Sequence, residues 1–103
     1  MRLRPVVSAA FAAGLLALAP AGRAQDTAAR SLAATCANCH GTNGVSRGEV
    51  VSLAGMPAAD LVQAFAEFRA GNRPATIMHQ IAKGYTDDQV RLIAAWFAAQ
   101  PKP

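Results

Sequence analysis

Cysteine, histidine and large aromatic side chains are scarce in this chain: two Cys, two His, one Trp and one Tyr in 103 residues. Cys36 and Cys39 have no second Cys or His pair beside them, and His79 stands alone, so the four ligands of a structural zinc site are missing. No segment has the alternating pattern of a strand. That removes the βαβ setting a thioredoxin-like dithiol needs. The longest apolar run, Val6–Ala19, is about 14 residues, short of the roughly 20 needed to span a bilayer as a helix.

A true excess of positive charge is missing too. The formal net charge is +4, but Arg2, Arg4 and Arg23 all lie in the first 24 residues. From Gln25 onward seven basic side chains face six acidic ones, which is no nucleic-acid recognition surface and suits docking to a protein. The first 24 residues read as a secretory leader: "MRLR" is a positive n-region, Val6–Ala19 an apolar h-region, and "APAGRA" offers small residues for cleavage. Cleavage is expected after Ala24, with Ala21 the second site and a retained anchor the alternative. Export, in a bacterium to the periplasm, follows from that reading. Residues 25–103 then form one domain, small enough that its core is marginal without a staple, a metal or a cofactor.

The pattern after residue 25 is all-α. Asp26 or Thr27 is a candidate N-cap for an alanine-rich helix running to about Cys39, with Leu32 and Ala33 on its buried side. A glycine-punctuated turn region follows. Pro57 suits the first position of a helix carrying Leu61, Phe65 and Phe68 on one face, closed by Gly71. A short helix is expected from about Ala75 to Lys83, closed by Gly84. The last helix opens on a capping box, Thr86 with Gln89, with Asp87 and Asp88 in its first turn. Val90, Ile93, Trp96 and Phe97 make its apolar stripe, and Pro101 stops it.

The stretch Cys36-Ala-Asn-Cys39-His40 carries the chemistry. As a disulfide it would close a tiny loop and stabilise little. C-x-x-C-H is, however, the attachment signature of covalent c-type haem. Two thiols three residues apart on a helical turn reach two vinyl groups as thioethers, and the adjacent His40 comes under the iron. Haem would also supply the buried apolar mass that the short chain lacks. A methionine as sixth ligand gives an electron-transfer haem of raised potential. Met56, Met78 and His79 are the candidates; Met56 is held extended before Pro57, whereas Met78 lies beyond the middle helix, with length of chain to reach the opposite haem face. Met78 is preferred.

These parts, in this order, resemble a class I cytochrome c, with Leu32 placed where that family packs an apolar residue on the last helix. "LAATCANCHGTNG" and "ATIMHQIAKGYTDDQVRLIAAWFAAQ" are more narrowly similar to the cytochrome subunit of flavocytochrome c sulfide dehydrogenase. The resemblance implies a small all-α fold of three to four helices around one haem. It makes Cys36 and Cys39 the covalent attachments, His40 the proximal ligand and Met78 the distal ligand. It implies one-electron transfer, with an FAD-containing sulfide dehydrogenase subunit as donor and another cytochrome as acceptor, and no catalysis in this chain alone. Leu53, Leu61, Phe65, Ile77, Ile81 and Trp96 are candidates for the haem shell, and Tyr85, Arg69 and Arg73 for a propionate. A free small cytochrome of a respiratory or photosynthetic chain is the alternative function. A sensing or catalytic haem with an open sixth position is a further one.

Overall fold

The computed structural model describes residues 2, 3, 5, 14 and 21–103, so the expected leader at 1–24 lies largely outside the described residues. Among the described residues there are five α-helices, two 3₁₀ turns and no strand. None of those helices is long and apolar enough to cross a membrane. Two of the five are single turns, and the three long ones are those the apolar periodicity marks.

Helix α1 spans Ala21–Ala34. Its start corrects the expected cap: Asp26 and Thr27 lie inside the helix, and the Thr27 hydroxyl donates back to the Arg23 carbonyl at 3.0 Å. Arg23, Ala24 and Gln25 are good helix formers, and they carry the helix past the polar pair. The far end is corrected as well, since α1 stops at Ala34 rather than Cys39. The Thr35 hydroxyl donates to the Leu32 carbonyl at 2.7 Å. The amides of Thr35 and Cys36 turn to the carbonyls three residues back, at 3.2 and 3.0 Å. A side chain competing for a carbonyl in the last turn breaks the helix there. A second single-turn helix, α2, then holds Ala37–His40.

From His40 the chain doubles back through a loop that only glycine permits. Gly41 has φ 85°, and a Cβ there would collide with the Val45 carbonyl. After a 3₁₀ turn at Thr42–Gly44, Gly44 has φ 78° and faces the Phe97 ring so closely that a Cβ would lie 2.7 Å from it. Its carbonyl receives the amides of both Leu53 and Ala54, at 2.8 and 3.1 Å.

Helix α3 spans Ala58–Ala70, with Pro57 as its N-cap instead of its first residue. It buries Leu61 and Phe65, leaving Phe68 half-buried. Gly71 closes it at φ 77°, the Asn72 amide reaching the Glu67 carbonyl at 2.9 Å and the Gly71 amide that of Phe68 at 3.1 Å. Helix α4 is shorter than expected, Met78–Ile81, and passes into a 3₁₀ turn at Ala82–Gly84. Residues 75–77 stay outside it, with Ile77 at φ −136°. Thr76 and Ile77, β-branched residues soon after Pro74, keep the backbone out of the helix there as a bend. Helix α5 spans Asp87–Ala98 and has the expected capping box, Gln89 amide to Thr86 hydroxyl at 3.1 Å and Thr86 amide to Gln89 Oε1 at 2.9 Å.

Helix α5 is the hub. It packs against α1 on one side and α3 on the other, while α3 also meets α4. Val90, Ile93, Ala94 and Phe97 are its buried contribution, and Leu32 and Trp96 pack against the same cluster half-buried. Five of the eleven buried apolar side chains in the described structure are alanines, so the core is thin, and the side bordered by α2, α3 and α4 is left unfilled.

Candidate functional site

That thin side is a cavity of about 760 Å³, within the range of cofactor pockets. Cys36, Cys39 and His40 form one part of its wall, and Met78 and Ile81 on α4 another. Leu61, Phe65 and Phe68 on α3 and Leu53 in the glycine loop complete an apolar lining. The sequence-distant halves of the expected site are therefore brought together by α3 and α5, which neither half could predict alone. Trp96, expected in the shell, packs on the core but does not line the cavity, because its stripe on α5 faces the other helices.

Both thiols are free, Cys36 half-buried and Cys39 exposed. Burial pushes the Cys36 thiol above its ordinary value. His40 is oriented by one bond, its Nδ1 lying 2.7 Å from the Val51 carbonyl. A carbonyl can only accept, so Nδ1 carries the proton and Nε2 is left with its lone pair for a metal. No group of three His, Cys, Asp or Glu side chains gathers among the described residues. The donor set is two tethers, one imidazole and thioether sulfur, in an apolar cavity; these fit a covalently held haem.

Met56 lines the cavity as well as Met78, and both pack against the core. Met56 lies five positions beyond Val51, in the stretch that already holds His40, and its amide is tied to the Leu53 carbonyl at 3.0 Å. Met78 arrives from α4, the far part of the wall. His79, half-buried, is not part of the lining.

The polar candidates separate clearly. Arg73 borders the cavity, with its guanidinium on Glu67 at 2.7 Å and 5.2 Å above the Phe68 ring. Arg69 is turned away from it, donating to the Tyr85 carbonyl at 2.9 Å, the Ala82 carbonyl at 3.3 Å and the Asp87 carboxylate at 2.8 Å. Tyr85 lines the cavity, its ring edge-on to Phe65, and its hydroxyl lies 2.6 Å from the Thr35 hydroxyl. Thr35 already gives its one proton to Leu32, so Tyr85 is the donor in that pair. A propionate contact from Tyr85 therefore requires it to release Thr35. The sequence gives no sign of Thr35 or of the Val51 carbonyl: one is a polar residue at a helix end, the other a backbone atom in a loop.

No family model matches the chain. It is 39% identical over 66 residues to the cytochrome subunit of sulfide dehydrogenase of Chlorobaculum tepidum, covering 64% of this chain and 60% of that one. It is 37% identical over 70 residues to a thiosulfate dehydrogenase electron acceptor of Thiomonas intermedia, covering 64% of this chain and 32% of the relative. Cytochrome c-554(548) of Halomonas halodenitrificans is 33% identical over 70 residues, or 64% of this chain and 84% of that protein. The match thus spans three fifths of the first relative's length and about a third of the second's.

Proposed function

This chain belongs to the class I c-type cytochromes, most like the sulfide dehydrogenase cytochrome subunit, and on that premise we propose that it is the haem subunit of a flavocytochrome c sulfide dehydrogenase. It is a monohaem electron-transfer protein with one C-x-x-C-H motif. In the proposed role it takes single electrons from an FAD-containing subunit and passes them to an acceptor cytochrome. The observation that carries the site is the cavity into which Cys36, Cys39, His40 and Met78 are all gathered. The similarity to the Chlorobaculum tepidum subunit supports the partner.

When bound, the haem supplies one-electron Fe(III)/Fe(II) cycling with no bond made or broken in the protein. Cys36 and Cys39 tether it from two positions on one turn. His40 would present Nε2 to the iron, held in that tautomer by the Val51 carbonyl, and Met78 would supply a thioether ligand. Leu53, Leu61, Phe65 and Ile81 exclude water, which raises the cost of net charge at the site and so tunes the potential. Tyr85 is kept as a propionate donor that must first leave Thr35. Residues 1–24 act as a cleaved leader that delivers residues 25–103 to the periplasm, where the partner and the acceptor meet it.

Two experiments test this. Ferric protein is expected to show the red charge-transfer band of methionine-ligated haem, kept in Met56→Ala and His79→Ala and abolished in Met78→Ala. Loss of the band in Met56→Ala instead would move the ligand. For the partner, the cytochrome purified from its native host is expected to co-elute with a flavoprotein. Elution alone at monomer size favours the free-carrier reading.

A further inference from the structure

The geometry points to Arg69 as the positioning residue of the distal segment, the side chain that keeps Met78 over the cavity from a distance. The inference rests on the assignment of Met78 made above. Helix α4 is one turn long, and a helix of that length has no stability of its own in water. On its N-terminal side residues 74–77 are exposed, Ile77 at 54%. Beyond the packing of α4 on α3 and of Met78 on the core, what holds Met78 therefore acts from the C-terminal side.

There the backbone is held by one guanidinium. Arg69 sits in the last turn of α3 and donates to three residues of the following segment, Ala82, Tyr85 and Asp87. Among the described residues no backbone amide outside the helices reaches the Tyr85 carbonyl, so Arg69 provides its hydrogen bond. Three acceptors at different angles use the fork of an arginine, and a lysine cannot serve them together. Ala82, fully buried between these bonds, adds packing but only a methyl group. The Tyr85–Thr35 bond pins the same segment to the end of α1. Arg69 thus fixes the 3₁₀ turn, the turn fixes α4, and α4 carries the methionine. Arg69 does not itself line the cavity and reaches its wall only through the Tyr85 carbonyl, so its effect is on how often the segment lifts away.

An exogenous ligand reads that opening directly. Imidazole can reach the ferric iron only when Met78 has left it, so its apparent affinity scales with the open fraction. With three hydrogen bonds at stake, Arg69→Ala holoprotein is expected to bind imidazole at least about tenfold more tightly than wild type. Arg69→Lys, which keeps the charge opposite Asp87 but not both carbonyls, should fall between the two. Ala29→Gly, in the α1–α5 packing, lowers global stability and should leave the affinity unchanged. If Arg69→Ala fails to fold, Arg69→Lys decides, and an affinity equal to wild type overturns the proposal. It is also overturned if Arg69→Ala binds imidazole as wild type does, or if Ala29→Gly produces the same gain. The methionine band of the wild type is recorded first: its absence removes the Met78 reading and this proposal with it, whereas its presence with an unresponsive Arg69 removes this proposal alone.

Discussion

Gly41 and Gly44 show how much a single missing Cβ decides in the loop behind His40. Both have positive φ, and each faces an atom that a methyl group would strike. Gly41→Ala is expected to cost at least about 2 kcal/mol from the left-handed backbone alone, before its collision with Val45 is relieved. The Tm of the holoprotein would fall accordingly, and an unchanged Tm would contradict the loop geometry. Tyr85→Phe is a milder change. Removing the donor to Thr35 at a partly exposed site should lower stability by about 0.5–1.5 kcal/mol, measured by urea unfolding, with the methionine band retained. At this scale Cys36, Cys39 and His40 were legible because their spacing is itself the chemistry. Arg69 was not: its residue type suggests an anion, and only the path of the chain shows three backbone and side-chain oxygens waiting for it.

Among the elements, α5 was the most legible, since its cap, its charges and its stripe all agree. Thr86→Ala removes the capping box and should cost about 1 kcal/mol, seen as a lower urea midpoint with an unchanged slope. The ends of α1 and α4 were less legible, because they depend on competition that periodicity does not record: a threonine hydroxyl taking a carbonyl in one case, β-branched residues after a proline in the other. The ion pairs at the end of α3 and between α3 and α5 also set an acid limit. Gln63 and Arg73 hold the Glu67 carboxyl below its ordinary value, and Arg69 does the same for Asp87. Each folded value is depressed, so the stability it contributes is present above the unfolded value and lost as pH falls through the folded one. Loss should therefore begin as pH drops towards the ordinary values of 4.5 and 3.8 and continue below them. Asp87→Asn should flatten the Tm profile in that range; a profile identical to wild type would mean that the pair adds nothing.

For the molecule as a whole, the cavity and the thin core are one fact. The large apolar side chains Met56, Phe68, Met78 and Ile77 line the cavity but are only half-buried or exposed, so without haem they face water from one side. Protein produced without haem is expected to lose most of its helical circular dichroism and to show no cooperative thermal transition. A sharp apo transition near the holo Tm would mean the helices pack without the cofactor. The all-α class and the single domain could be read from periodicity and size, and the packing of α1 on α5 was expected from the resemblance through Leu32; the gathering of α2 and α4 around one cavity needs long-range contacts that no local pattern encodes. The position of Trp96 has an optical consequence. It is the chain's one tryptophan, half-buried on α5, beside the core and off the cavity wall. Once haem is bound, its emission is expected to be quenched by energy transfer to the porphyrin and to brighten when α5 moves away. The protein thus carries its own one-point gauge of the distance between its last helix and its pigment.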